Sequence, residues 1–142
     1  MDHVSYTDDY ISDILRSTRT IAMTGASANE TRPSHGILAF LKAHGYHMFP
    51  INPGLAGKTL LDLPVYAKLA DLPDVVDMVD VFRNSAAIDG VVDEVLALPK
   101  LPKVIWMQLG VRNDAAAARA KTAGIKVVMD RCPKIEIQRL GL

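Results

Sequence analysis

Five short, almost unbroken apolar runs, each followed by helix start and stop signals, restrict this chain more than any other feature. They cover 20–24, 46–51, 78–82, 103–107 and 125–129, and each is bounded by Gly, Pro, Asn or Asp. A strand with one wet face would alternate apolar and polar residues, so evenly apolar runs of this length suit strands buried on both sides. Helical patterns fill the gaps. A leading helix is expected over 7–17, with Thr7 as N-cap and Tyr10, Ile11, Ile14 and Leu15 on one face. Pro33 suits the first turn of a second helix, whose inner face is Ile37, Phe40 and Leu41 and whose stop is Gly45. Asn84 or Ser85 caps a third, carrying Ile88, Val91, Val92, Val95 and Leu96 inward and closed by Pro99. An alanine-rich helix follows Asn113 or Asp114 and stops at Gly124, and a terminal helix starts near Pro133. Residues 55–73 read as a loop with a short extended piece at Pro64-Val65-Tyr66 and one helical turn.

Strand and helix alternating in this way specify an α/β fold: a Rossmann-like, doubly wound parallel sheet of about five strands in three layers, with right-handed crossovers. The 142 residues are expected to form one domain over 1–142, with 1–18 as a leading helical segment. A chain of this size buries roughly two thirds of its unfolded surface, which is enough for a core without metal or disulfides. The single Cys132 could not form an internal disulfide in any case.

Composition narrows the function classes. Sixteen basic residues balance sixteen acidic ones, and no basic face is apparent, so nucleic acid is not an expected partner. No apolar run approaches the roughly 20 residues of a membrane span. The polar, acidic start of the chain resembles neither a signal nor a transit peptide, which points to a cytoplasmic protein.

Doubly wound sheets bind ligands beyond the carboxyl ends of their strands, where strand order reverses. The loop after the first run contains Thr24, Gly25, Ala26, Ser27, Arg32, Pro33 and Ser34. Gly25 permits a tight turn, small neighbours let backbone N–H groups approach an anion near a helix N-terminus, and Arg32 supplies a guanidinium. This loop is either a phosphate site or an ordinary strand-to-helix turn. The dinucleotide fingerprint G-x-G-x-x-G is not met, because Ser27 and Glu30 occupy its second and third glycine positions. Asn52 and Pro53 stand where a ribose-binding carboxylate would be, so NAD is disfavoured and a phosphorylated ribose is better tolerated.

The segments Ile21-Ala22-Met23-Thr24-Gly25-Ala26-Ser27, Arg32-Pro33-Ser34, Gly45-Tyr46, Pro50-Ile51-Asn52-Pro53, Val79-Asp80-Val81-Phe82-Arg83, Trp106-Met107-Gln108-Leu109-Gly110 and Asp130-Arg131-Cys132, followed by Ile135-Glu136, occur in an order that covers nearly the whole chain. Together they resemble the small stand-alone coenzyme A-binding proteins, whose domain is similar to the N-terminal domain of the succinyl-coenzyme A synthetase alpha subunit. The resemblance implies that the loop 25–27 faces the pyrophosphate and that Asn52 and Pro53 lie near the nucleotide. It further implies that Arg83 and the segment from Gln108 to Gly110 border the adenosine or pantetheine. Leu55 stands where the synthetase has a cofactor-contacting lysine, and Lys58 is the expected substitute. The synthetase's phosphorylated histidine belongs to a second domain, so ligase chemistry is not expected.

No catalytic constellation is visible. His3, His35, His44 and His47 have no metal-ligand spacing, so no metal is expected. Asp77 and Asp80 flank the third run, one read as solvated and the other as a cap. Trp106 reads as core. Cys132, beside Arg131 and Lys134 before a helix start, is either a reactive thiol or a buried small hydrophobe. The leading expectation is a non-catalytic protein that binds coenzyme A or an acyl-CoA, its ligand a small nucleotide and its protein partner open. The alternatives are an NADP-linked or acyl-transfer enzyme subunit needing a partner, or a thiol-redox regulatory module.

Overall fold

In the computed structural model, which describes residues 3–142, the central sheet contains β1 (Thr20–Thr24), β2 (His47–Ile51), β5 (Met78–Val81), β6 (Val104–Met107) and β7 (Lys126–Val128). All are parallel, in the order β2-β1-β5-β6-β7. The helices are α1 (Asp8–Ser17), α2 (Pro33–Ala43), α3 (Ile88–Leu96), α4 (Asp114–Thr122) and α5 (Pro133–Leu140). From β1 the chain steps outward to β2, then crosses back past β1 to β5 and continues in the opposite direction. That reversal opens a crevice beyond the carboxyl ends of β1 and β5.

Successive strand residues point to opposite faces and thereby build two cores. Ile21, Met23, Met78, Val104, Trp106 and Val128 pack with Ile11, Ile14 and Leu15 of α1, Leu38 and Leu41 of α2, and Ile137 of α5. Ala22, Val79, Val81, Ile105, Met107 and Val127 pack with Ile88, Val91, Val92 and Val95 of α3 and with Ala116, Ala117 and Ala120 of α4. The alanines let α4 lie close to the sheet. Helix, sheet and helix form the three layers, and the expected α/β architecture is the one observed. Met1 and Asp2, the start of the expected leading segment, lie outside the described residues.

Side chains fix the helix starts. Thr7 accepts a hydrogen bond from the Tyr10 N–H at 3.1 Å and Asn113 from Ala116 at 3.0 Å, while Asn84 accepts from Ala87 at 3.1 Å and so caps the short turn Ser85–Ala87 that leads into α3. Asparagine is therefore the cap in both places where the sequence left a choice. Cys132, at the N-cap position of α5, is buried, as the small-hydrophobe reading expects.

Two expectations change. Within 55–73 the expected helical turn is present at Leu69–Asp71, but the rest is not a loop with one extended piece: the chain forms a small antiparallel hairpin, β3 (Thr59–Leu60) with β4 (Leu63–Pro64). Its two turn residues, Leu61 and Asp62, have φ of 50° and 63°. Both central residues of such a turn need the left-handed conformation, usually met by Asn-Gly or Asp-Gly, so Leu-Asp carries no hairpin signal. The second correction concerns Asp80. Asp77 does act as a cap, accepting from the Arg19 N–H at 2.8 Å and the Thr20 N–H at 3.3 Å. Asp80, however, is fully buried, not solvated, because it lies mid-sheet in register with Met23 and Trp106.

Candidate functional site

The crevice is built by the ends of three strands. β1 ends at Gly25, whose φ is +76°; a Cβ there would lie 2.3 Å from the Phe82 carbonyl oxygen. Only glycine lets this turn pass the end of β5. Ladder hydrogen bonds continue past the strands: Phe82 N–H donates to the Thr24 carbonyl at 3.0 Å and Gln108 N–H to the Val81 carbonyl at 3.2 Å. On the other side, Ala26 N–H donates to the Ile51 carbonyl at 3.3 Å. Asn52 clamps the same corner, its Nδ2 donating to the Ala26 carbonyl at 2.7 Å while its Oδ1 accepts from Gly54 N–H at 2.8 Å. The loop is thus rigid where it faces the crevice.

Beyond it, Ser27 Oγ accepts from Asn29 N–H at 3.0 Å, and Asn29 Oδ1 accepts from Thr31 N–H at 3.0 Å. These bonds steer the chain into α2. Its N-cap residue, Arg32, makes no side-chain cap bond, Pro33 holds the first position, and no acidic side chain stands in the first turn. Pro33 has no N–H and the His35 N–H donates to the Arg32 carbonyl at 3.1 Å, so the Ser34 N–H is left to face outward at the positive end of the helix dipole. A helix start left in this state suits an anion.

Two lobes make up the crevice and meet at Gly25, Asn52 and Arg83. The first encloses 590 Å³ and is lined by the loop 25–27, Arg32, Pro33, Ser34, Arg83, Asn84 and Gln108, with Phe82, Leu109 and Val111 as its apolar wall. It has two guanidinium groups and no carboxylate among its lining residues. Gln108 is 9% exposed, and its Oε1 has no hydrogen-bond partner. The second lobe encloses 490 Å³ and is lined by Thr24, Ile51, Asn52, Pro53, Ala67, Lys68, Arg83 and Glu94. Thr24 Oγ1 is also buried without a partner. Buried polar atoms left unsatisfied at the wall of a cleft fit a ligand that completes them.

Of the residues singled out from the sequence, Gly25, Ala26, Ser27, Arg32, Pro33, Ser34, Asn52, Arg83 and Gln108 line the first lobe, and Thr24 and Pro53 the second. Lys58 and Gly110 line neither. Lys58 belongs to the hairpin, where its N–H donates to the Leu55 carbonyl and its carbonyl accepts from Val65 N–H. Phe82, Asn84 and Leu109 adjoin residues already singled out and could have been added by proximity. Lys68 and Glu94 lie far from any motif, and only the crossovers bring them to the crevice. His35 is half-buried on α2, while His44 and His47 are exposed at the opposite end of the sheet. Among the described residues no group of histidine, cysteine and carboxylates could hold a metal, and no helix is long and apolar enough to cross a membrane.

A parallel sheet with a glycine turn, a helix start without a side-chain cap and a carboxylate-free first lobe at its switch point defines a Rossmann-like domain whose crevice suits an anionic ligand. The CoA binding domain family matches residues 19–138, and the chain belongs to that family. It is 32% identical to Uncharacterized protein YneT of Bacillus subtilis over 125 residues, 88% of this chain and 90% of that one. The cell-free ID.343 structure from Thermus thermophilus is 38% identical with a TM-score of 0.88, covering 95% of this chain and 99% of that chain. The dinucleotide-forming acetyl-coenzyme A synthetase 1 of Ca. Korarchaeum cryptofilum is 26% identical with a TM-score of 0.66, covering 81% of this chain and 27% of that chain.

Proposed function

We propose that this protein binds coenzyme A or an acyl-CoA in the crevice at the ends of β1 and β5, and does no chemistry on it alone. The observation that carries the reading is the first lobe: two arginines and the uncapped start of α2, with no opposing carboxylate among its lining residues. The Ser27 and Ser34 N–H groups, one in the glycine turn and one at the start of α2, would receive the pyrophosphate. Arg32 and Arg83 would add charge-assisted contacts. Phe82, Leu109 and Val111 offer apolar surface to the pantetheine arm, and the free Oε1 of Gln108 offers it an acceptor.

Titration calorimetry tests this directly. Coenzyme A should give saturable heat, and Arg32→Ala or Arg83→Ala should each weaken it about tenfold, the worth of a charge-assisted hydrogen bond. NADP should bind more weakly than coenzyme A. No heat from coenzyme A at about millimolar concentration, where even a contact of about 4 kcal/mol registers, would sink the proposal.

A further inference from the structure

The second lobe contains a lysine that no motif marks. We infer that this lobe holds a phosphate carried on the ligand's ribose, and that Lys68 is the residue that selects for it. The inference rests on the coenzyme A reading above and goes beyond it by assigning one end of the ligand and its specificity.

In doubly wound sheets the ribose of a bound nucleotide lies at the tip of the second strand, where a carboxylate takes a bare hydroxyl and would repel a phosphate. Here that tip is Asn52 and Pro53. Asn52 carries no charge, and both ends of its amide are engaged in holding Ala26 and Gly54. Lys68, two residues beyond Tyr66 whose carbonyl accepts the Asn52 N–H at 2.9 Å, lines the lobe together with Arg83. Neither forms an ion pair among the described residues, so both charges are free to meet an anion. Glu94 is the opposing charge, and its Oε1 accepts the Leu69 N–H at 2.6 Å. Counting Arg83, which also lines the first lobe, two cations face one carboxylate.

Thr24 supplies an independent pointer. It is 4% exposed, it lines this lobe, and its hydroxyl has no partner. A phosphate or ribose oxygen would satisfy it. Arg83 lines both lobes, so one side chain can bridge the pyrophosphate and the ribose phosphate. Lys58, by contrast, borders neither lobe and is not the selecting cation. Lys68 precedes the helical turn Leu69–Asp71 without capping it and is exposed, so its removal leaves the fold intact.

The test compares 3′,5′-ADP with 5′-AMP, which differ only in the ribose phosphate, by calorimetry on the full chain. Wild type should prefer 3′,5′-ADP by about tenfold or more, the effect of one charge-assisted contact. Lys68→Ala should remove about that factor for 3′,5′-ADP and change 5′-AMP by less than about twofold. Lys58→Ala should change neither. The assignment is overturned if Lys68→Ala leaves 3′,5′-ADP binding intact, if it weakens both nucleotides alike, or if Lys58→Ala has the effect instead. Wild type binding coenzyme A and dephospho-coenzyme A equally would overturn this inference while leaving the coenzyme A proposal standing; failure of coenzyme A itself to bind would end both.

Discussion

Asp80 is the residue most at odds with its surroundings. Both carboxyl oxygens lie in the core without a hydrogen-bond partner, and desolvation raises its pKa well above the ordinary carboxylate value. The native state therefore keeps a proton that the unfolded chain gives up, so stability falls as pH rises through the unfolded value of about 3.9 toward the raised native one. Asp80→Asn, a neutral residue of the same shape, should raise the thermal midpoint at neutral pH. The advantage should shrink as pH falls below the unfolded value of about 3.9, where wild type becomes protonated in both states. A difference that does not vary with pH would show that the carboxyl does not titrate in this way. Gly25 is the opposite case, a residue without side chain at the one turn where the Phe82 carbonyl leaves no room for a Cβ.

Above single residues, the segment before α1 is pinned by a chain of contacts. His3 Nε2 lies 3.1 Å from Lys121 Nζ and its Nδ1 lies 2.8 Å from the Tyr6 hydroxyl, which accepts the Met129 N–H at 2.9 Å. An ammonium can only donate, so Nε2 accepts and the proton sits on Nδ1. Arg131 covers the Tyr6 ring and donates to the Val4 carbonyl at 2.8 Å, and Arg112 donates to the His3 carbonyl at 2.6 Å. Burial, then the charges of Lys121 and Arg112, hold the His3 pKa below its usual 6.5, with Asp114 opposing them. The unfolded segment binds a proton first, so its docking is at full strength above the ordinary histidine pKa and weakens as pH falls below it. Hydrogen exchange, corrected for intrinsic rate, should show the Met129 amide losing protection between about pH 7 and about pH 5, and His3→Gln should remove that dependence. Equal protection across that range would contradict the electrostatic account.

For the molecule as a whole, a crevice formed by the ends of β1, β2 and β5 exists only when the chain is folded, so its ligand must stabilise the fold. At about one hundred times its dissociation constant, coenzyme A should add about 2.7 kcal/mol. For a domain of this size that raises the thermal midpoint by about 8 °C, readable by scanning calorimetry. An unchanged midpoint at a concentration that saturates the calorimetric signal would mean that binding does not require the folded crevice.

Much of this was legible along the chain because it depends on local chemistry. The apolar runs of β1, β2, β5, β6 and β7, the caps Thr7, Asn84 and Asn113, and the glycine turn after β1 are decided by residues within a few positions of one another. The loop 25–27 with Arg32 and Ser34 could be singled out for the same reason. Sequence did not disclose the hairpin turned by Leu61 and Asp62, since its left-handed backbone is imposed by pairing, not by residue type. Nor did it show that Asp80 is buried, because the alternation around one strand does not say which neighbours cover it. Local pattern by itself determined a β–α alternation and a turn suited to an anion. Arg83 and Gln108 could be named from the family resemblance; only the tertiary structure decided that Lys68 joins them beside that turn, because its segment folds back next to β2 and nothing local encodes which distant segments will meet.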